Sequence, residues 1–114
     1  MKRVLVVDDE QALCRAIRVI LEDSIEVHTA NDIASAIKML SQHFDIVLTD
    51  LQLTKGGREG FELLEYLRRT GNPAKRVAMS GKSYLGAEAL AAGAHEFIAK
   101  PFEISELYGA IGVP

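Results

Sequence analysis

Apolar residues along this chain fall into five short blocks, each followed by a longer stretch in which they recur every three or four positions. Lys2 to Val7 is a β-branched, apolar run too short for a helix, and it stops abruptly at Asp8-Asp9-Glu10. Such a run predicts a buried parallel strand with acids at its carboxyl end. From Gln11 to Leu21 the residues Leu13, Ile17, Ile20 and Leu21 keep helical spacing, which predicts a first amphipathic helix. Ile25 to Ala30 is a weaker second strand, alternating through Ile25, Val27 and Thr29. Asn31 or Asp32 is placed to cap the next helix, whose apolar side holds Ile33, Ile37 and Leu40. Phe44 to Thr49 is another continuous buried strand, and it too runs into an acid, Asp50.

Leu51 to Gly60, with Thr54, Gly56, Gly57 and Gly60, reads as a loop. Phe61, Leu64 and Leu67 give a third helix that fails before Gly71, Asn72 and Pro73. Arg76 to Met79 is a fourth strand ending at Ser80-Gly81, and Ser83 to Ala92 is an alanine-rich helix that Gly93 terminates. Glu96 to Ala99 is the last strand, followed by Lys100-Pro101-Phe102. A fifth helix begins near Glu103 and uses Ile104, Leu107 and Ile111; Gly109 weakens its interior, and Gly112 and Pro114 favour its end. Strict alternation of strands and helices implies right-handed crossovers with helices on both faces of a parallel sheet. The expected fold is therefore α/β, a flavodoxin-like (βα)5 three-layer sandwich with a central five-stranded parallel sheet in the order 2-1-3-4-5. That order brings Asp8, Asp9 and Asp50 together at the switch point, where such folds bind ligands.

Composition narrows the setting. At 114 residues the chain fits one domain, 1–114, and any output module lies on another chain or outside this sequence. With 48% apolar and 25% charged residues it matches an ordinary globule. No apolar stretch is long enough to span a bilayer, and charges arrive too early for a signal peptide, so no membrane association is expected. A single cysteine, Cys14, cannot form an internal disulfide, which fits a reducing, cytoplasmic setting. The formal net charge of -3, with basic residues scattered among acids, predicts no direct nucleic-acid binding.

Three carboxylates converging in one cleft repel each other unless a cation compensates them. Mg²⁺ or Mn²⁺ suits such oxygen ligands and would also neutralise phosphoryl oxygens during attack by a carboxylate. Asp50, at the end of the central strand, is the best nucleophile, with Asp8 and Asp9 approaching from its neighbour. On position alone another reading stays open, in which Asp8 or Asp9 merely caps the first helix. Ser80 and Lys100 each follow a separate strand and bring a hydroxyl donor and a compact positive charge to the same edge.

With these residues in view, the sequence resembles, over essentially its whole length, the receiver domain of two-component response regulators. The matching pieces are Val4-Leu5-Val6-Val7-Asp8-Asp9-Glu10, Ile46-Val47-Leu48-Thr49-Asp50, Ser80, and Lys100-Pro101-Phe102. The resemblance implies a phosphoryl-accepting switch, with Asp50 phosphorylated by a histidine kinase or histidine phosphotransfer protein in a metal-dependent reaction. It also implies a domain that catalyses part of its own phosphorylation and dephosphorylation without being a conventional enzyme. Carried over by position, Asp8, Asp9, Asp50 and the backbone carbonyl of Gln52 hold the metal. Lys100, Ser80 and the backbone amides of Leu51 and Gly81 contact the phosphoryl group, while Ser80 and Phe97 form the switch pair. The same resemblance implies a cis peptide between Lys100 and Pro101.

The sequence departs from the family pattern in one region. Thr54 stands where receivers often have proline, and the glycine common eight residues after the phosphorylated aspartate comes here at ten, as Gly60. A longer, looser loop beside the site is expected, in which Lys55 or Arg58 either approaches the phosphoryl charge or stays solvated. His28, His43 and His95 lie in different units and read as surface or packing residues; Cys14 lacks a partnered base, and the glycines at 56, 57 and 60 do not make a Walker loop. Competing readings are a receiver fold that is never phosphorylated, and a small aspartate-nucleophile phosphatase, against which Asp50-Leu51-Gln52 lacks a second acid. The fifth helix carries no charge pattern like the dimer face of winged-helix regulators, so a monomer is favoured, with dimerisation after phosphorylation left open.

Overall fold

The computed structural model describes residues 1–113; Pro114, one of the two helix-stop signals, lies outside the described residues. The strands are β1 (Arg3–Val7), β2 (Glu26–Ala30), β3 (Ile46–Asp50), β4 (Lys75–Ser80) and β5 (Glu96–Ala99). Between and after them run α1 (Gln11–Leu21), α2 (Ile33–Met39), α3 (Glu59–Arg69), α4 (Gly86–Ala92) and α5 (Ile104–Ile111). All strand pairs are parallel, in the order β2-β1-β3-β4-β5. This is the three-layer flavodoxin-like arrangement expected from the alternation.

The continuous apolar runs are explained by burial on both faces. Successive strand side chains point to opposite sides. Val4, Val6, Leu48, Val77 and Met79 pack with Ile17, Leu21, Leu107 and Ile111 under α1 and α5. Leu5, Val7 and Val47 pack with Ala36, Leu63 and Leu67 under α2 and α3. A third group, Leu51, Phe61, Leu64, Ala78, Ala89 and Ala92, joins α3 to α4. Among the described residues, no helix is long and apolar enough to cross a membrane.

Several boundaries move for local reasons. Asp32 caps α2, accepting from the Ser35 amide at 2.7 Å, while Asn31 is used elsewhere. Strand β3 starts later and takes in Asp50; Phe44 stays outside it, stacked edge-on with His28 and under the Arg3 guanidinium. The alanine-rich segment divides into a short 3₁₀ turn, Ser83–Leu85, and α4. Gly93, at φ +120°, ends α4, and Gly112, at φ +85°, ends α5, both conformations that favour glycine. Helix α3 begins at Glu59, two residues earlier than its apolar spacing indicates.

Gly60 explains how that helix can start so close to the sheet. A Cβ at this position would lie 2.0 Å from the Asp50 carbonyl oxygen and 2.5 Å from the Leu51 Cα, whereas one at Gly109 in α5 would meet nothing within 4 Å. The same substitution therefore has opposite signs at the two sites. Gly60→Ala is expected to lower stability by about 1–3 kcal/mol through forced backbone displacement. Gly109→Ala is expected to raise it by roughly 0.5–1 kcal/mol through helix propensity. Urea unfolding of both variants checks the pair, and equal effects of one sign would contradict the packing described.

Candidate functional site

The carboxyl ends of β1, β3, β4 and β5 deliver polar side chains to the same edge. Parallel pairing sets β1 beside β3 in the register Val7 with Thr49, so the residues that follow, Asp8 and Asp50, emerge side by side. β4 contributes Ser80, and Lys100 follows β5, whose Ala99 pairs with Ser80. Asp8, Asp9 and Asp50 each place a carboxylate oxygen within 4.8 Å of the others. Asp8 is fully buried and Asp50 is only 9% exposed, while Asp9 faces solvent.

Lys100 holds this cluster together. Its ammonium donates to Asp8 Oδ2 at 2.7 Å and to Asp50 Oδ2 at 2.8 Å. Burial alone pushes this ammonium down, but the hydrogen bonds and charges of Asp50 and Asp8 outweigh it, and its pKa ends above the ordinary lysine value. The lysine therefore stays charged. The second oxygens are held by backbone: Asp8 Oδ1 accepts from the Glu10 amide at 2.8 Å and Asp50 Oδ1 from the Gln52 amide at 2.9 Å.

The helix-cap reading of the acids falls away here. The residue at the α1 cap position is Glu10, whose side chain makes no capping bond, and Asp8 is committed to Lys100 and the turn. One backbone assignment is also corrected. The Leu51 amide donates to the Met79 carbonyl at 3.0 Å, which continues the β3–β4 ladder, so the amide facing the Asp50 carboxylate is that of Gln52. Gly81 has open space around its α-carbon, and Ser80, 3% exposed, accepts from the Lys82 amide at 3.0 Å. Phe97 is half-buried beside α4, and its ring would meet a Cβ on Gly86 at 3.1 Å. The Lys100-Pro101 peptide is cis.

Some participants were not legible beforehand. Asn31 Nδ2 donates to the Asp8 carbonyl at 2.9 Å, and the Cys14 thiol donates to the same carbonyl at 3.5 Å. Burial and then the Asp8 charge push that thiol up, so it remains protonated and inert as a nucleophile. Buried Thr49 donates to the Asp50 carbonyl at 2.9 Å; its one signal is a hydroxyl interrupting the apolar run Ile46–Leu48.

The loop after Asp50 is pinned instead of slack. Gly57 donates to the Thr54 carbonyl at 2.9 Å, Gly56 takes φ +73°, and the Thr54 hydroxyl donates to Glu59 at 2.6 Å, holding that carboxyl below its usual range. Arg58 does not turn toward Asp50. It pairs with Glu88 of α4 and lies 4.3 Å from the Phe61 ring centroid.

A doubly wound sheet carrying three aspartates, one half-buried lysine and one buried serine at its switch point defines a phosphoryl-acceptor class. Comparison with known proteins gives the family. The response regulator receiver domain matches residues 4–112, and the chain belongs to that family. The transcriptional regulatory protein DltR of Streptococcus agalactiae is 34% identical over 113 residues, 96% of this chain and 50% of that protein. The chain spans about half the length of several curated relatives it matches and about a quarter of others. The response regulator TrrA of Thermotoga maritima, solved in complex with Mg(2+)-BeF, superposes with a TM-score of 0.87 at 30% identity, covering 98% of this chain and 97% of that one. A receiver domain from Francisella reaches 0.89 at 24% identity, covering 99% and 95%, which supports the fold.

The ion triad carries a stability prediction. Removing one partner of a buried charge cluster leaves the others uncompensated, at a cost of about 3–5 kcal/mol. Lys100→Met is expected to lose stability of this order in metal-free buffer and to regain much of it in excess Mg²⁺, because a cation replaces the lost charge. Urea melts with and without Mg²⁺ measure this; a variant as stable as the native protein without metal would refute the role given to Lys100.

Proposed function

We propose that this domain is the phosphoryl-accepting switch of a two-component phosphorelay. A histidine kinase or histidine phosphotransfer protein supplies the phosphoryl group. The observation that carries the reading is the shared ammonium: Lys100 lies between Asp8 and Asp50, with a third carboxylate, Asp9, completing an acidic cluster. Three carboxylates against one ammonium leave two negative charges, which suits a divalent cation, Mg²⁺ or Mn²⁺. Asp8, Asp9, Asp50 and the Gln52 carbonyl would hold it, and when bound it would neutralise oxygen charge during transfer.

The protein's own groups account for the remaining requirements. An Asp50 oxygen attacks the phosphorus of a phosphohistidine; the phosphorus–nitrogen bond breaks, an acyl phosphate forms, and the imidazole leaves with the electron pair. Lys100 then pairs with a phosphoryl oxygen in place of its bond to the Asp50 carboxylate. The Gln52 and Gly81 amides and the Ser80 hydroxyl supply further donors. For Ser80 to donate in this way its hydroxyl must turn toward the phosphoryl group, and Phe97 follows it in the switch. Hydrolysis of the acyl phosphate returns Asp50 to its starting state, so the domain promotes both steps without turning over a separate substrate.

The groove of Leu13, Ile20, Pro101 and Phe102, which Glu10 and Lys100 also line, offers an apolar seat next to the lysine for the phosphodonor protein. The output is carried by another domain or protein in the cytoplasm, reached as a monomer or through dimerisation after phosphorylation. Its chemistry follows from that partner and not from nucleic-acid contact by this domain.

Incubation with a small phosphodonor and Mg²⁺, followed by intact-mass analysis, tests the proposal. The native protein is expected to gain one phosphoryl group, and Asp50→Asn to gain none. A chelator should abolish the gain, and Ser80→Ala should keep it while losing the chemical-shift response around Phe97. Equal labelling of the Asp50→Asn variant would overturn the assignment.

A further inference from the structure

A second concavity opens between α1 and the free edge of β2, lined by Gln11, Cys14, Arg15, Arg18, Thr29 and Asn31. Two arginines line it and no acidic residue does. Among the described residues neither Arg15 nor Arg18 forms an ion pair. Arg18 is fixed against the edge strand, donating to the Val27 carbonyl at 2.9 Å, and this leaves most of its five N–H donors available. Like charge excludes a cation from this space. A carboxylate has two oxygens and is satisfied by a single guanidinium fork. Two forks, with the Gln11 amide and the Thr29 hydroxyl beside them, match the three terminal oxygens of a phosphate ester.

Size restricts the ligand further. The volume is about 190 Å³, room for roughly six waters at their liquid volume of ~30 Å³ each, and it falls below the ~300–1,000 Å³ of pockets that enclose drug-sized molecules. We propose that this concavity is an anion site that binds a small phosphomonoester through its phosphoryl group, separately from the Asp50 cleft. Its inner wall reaches that cleft from behind. Asn31 and Cys14 both line the concavity and both donate to the Asp8 carbonyl, at 2.9 Å and 3.5 Å. A phosphoryl group drawn against them bears on the residue that anchors the acid cluster, and cation affinity and anion affinity must then influence each other equally. This coupling rests on the function proposed above; the binding itself does not.

Titration of the ¹⁵N-labelled chain with inorganic phosphate, in chelator and at constant ionic strength, reads the site directly. Saturable shifts are expected at the amides of Cys14, Arg18, Thr29 and Asn31, with glycerol phosphate producing the same pattern. Arg15→Gln with Arg18→Gln is expected to weaken binding by about a hundredfold, roughly tenfold for the charge-assisted hydrogen bond lost with each guanidinium. Thr29→Val, which keeps the side-chain volume, should weaken it by a smaller factor and guards against a folding artefact in the double variant. Shifts largest at this set of amides, and not at Asp50 and Lys100, separate this site from the phosphorylation chemistry. Non-saturating shifts, shifts centred on Lys100 and Asp50, equal shifts from chloride, or unchanged affinity in the double variant would each overturn the proposal.

Discussion

One ammonium between two carboxylates, all largely out of water, is the constraint around which the carboxyl end of the sheet is built. Asp8 and Asp50 are 92 and 50 residues from Lys100 in sequence, yet each lies within hydrogen-bonding distance of its Nζ. Desolvating a carboxylate costs several kcal/mol, so neither acid can sit where it does without a partner. The parallel register supplies the partners: β1 beside β3 presents the acids, and the chain leaving β5 presents the lysine. Backbone amides two residues beyond each acid hold the second oxygens, which leaves the carboxylates fixed before any ligand arrives. Preorganisation of this kind is what a site needs when the chemistry is mainly the placing of charge.

The fold was readable because its signals are local and repeated. Each apolar run ends at a polar residue and is followed by helical spacing, and alternation of this kind admits few topologies. Lys100, Ser80 and the three aspartates were readable for a related reason, since each stands at the end of a strand. What could not be read depends on contacts between elements. Asn31 looks like a helix cap, and only the proximity of β1 and β2 turns its amide to the Asp8 carbonyl. The Leu51 amide looks free in sequence, but the ladder continues one residue beyond Asp50 and engages it. Sequence leaves Arg58 either solvated or near the site, and nothing local announces its partner Glu88, 30 residues away on α4. Composition carries no trace of any of these.

These contacts between elements also describe how a charge change at Asp50 can be felt elsewhere. Phosphorylation replaces one carboxylate charge with a phosphoryl group bearing nearly two, and every donor around the cleft is then under greater demand. Ser80 holds the Lys82 amide, and the turn that follows leads directly into α4. At the other end of the same region, Gly86 packs on the Phe97 ring and Glu88 is tied to Arg58 in the loop after Asp50. Helix α4 is therefore gripped from both sides by segments that leave the site. Its first turn carries no side-chain cap, and a short 3₁₀ turn precedes it, so little within the element itself opposes a shift.

The two extra residues before Gly60 show which feature of the loop is constrained. What the packing fixes is the approach of α3 to the end of β3, where the Gly60 amide bonds the Leu51 carbonyl at 3.1 Å and a side chain would collide with Asp50 backbone. The distance in sequence from Asp50 to that glycine is not fixed in the same way, because lengthening a short loop by two residues costs only a fraction of a kcal/mol in closure entropy. The chain absorbs the extra length in a turn closed by Thr54, Gly57 and Glu59 and then resumes the required contact. Glycine is thus demanded by the crossing of helix and strand and not by a count along the chain. For the same reason the insertion leaves the geometry of Asp50, Gln52 and Lys100 undisturbed, and its consequences fall on the outer surface, where Arg58 meets Glu88.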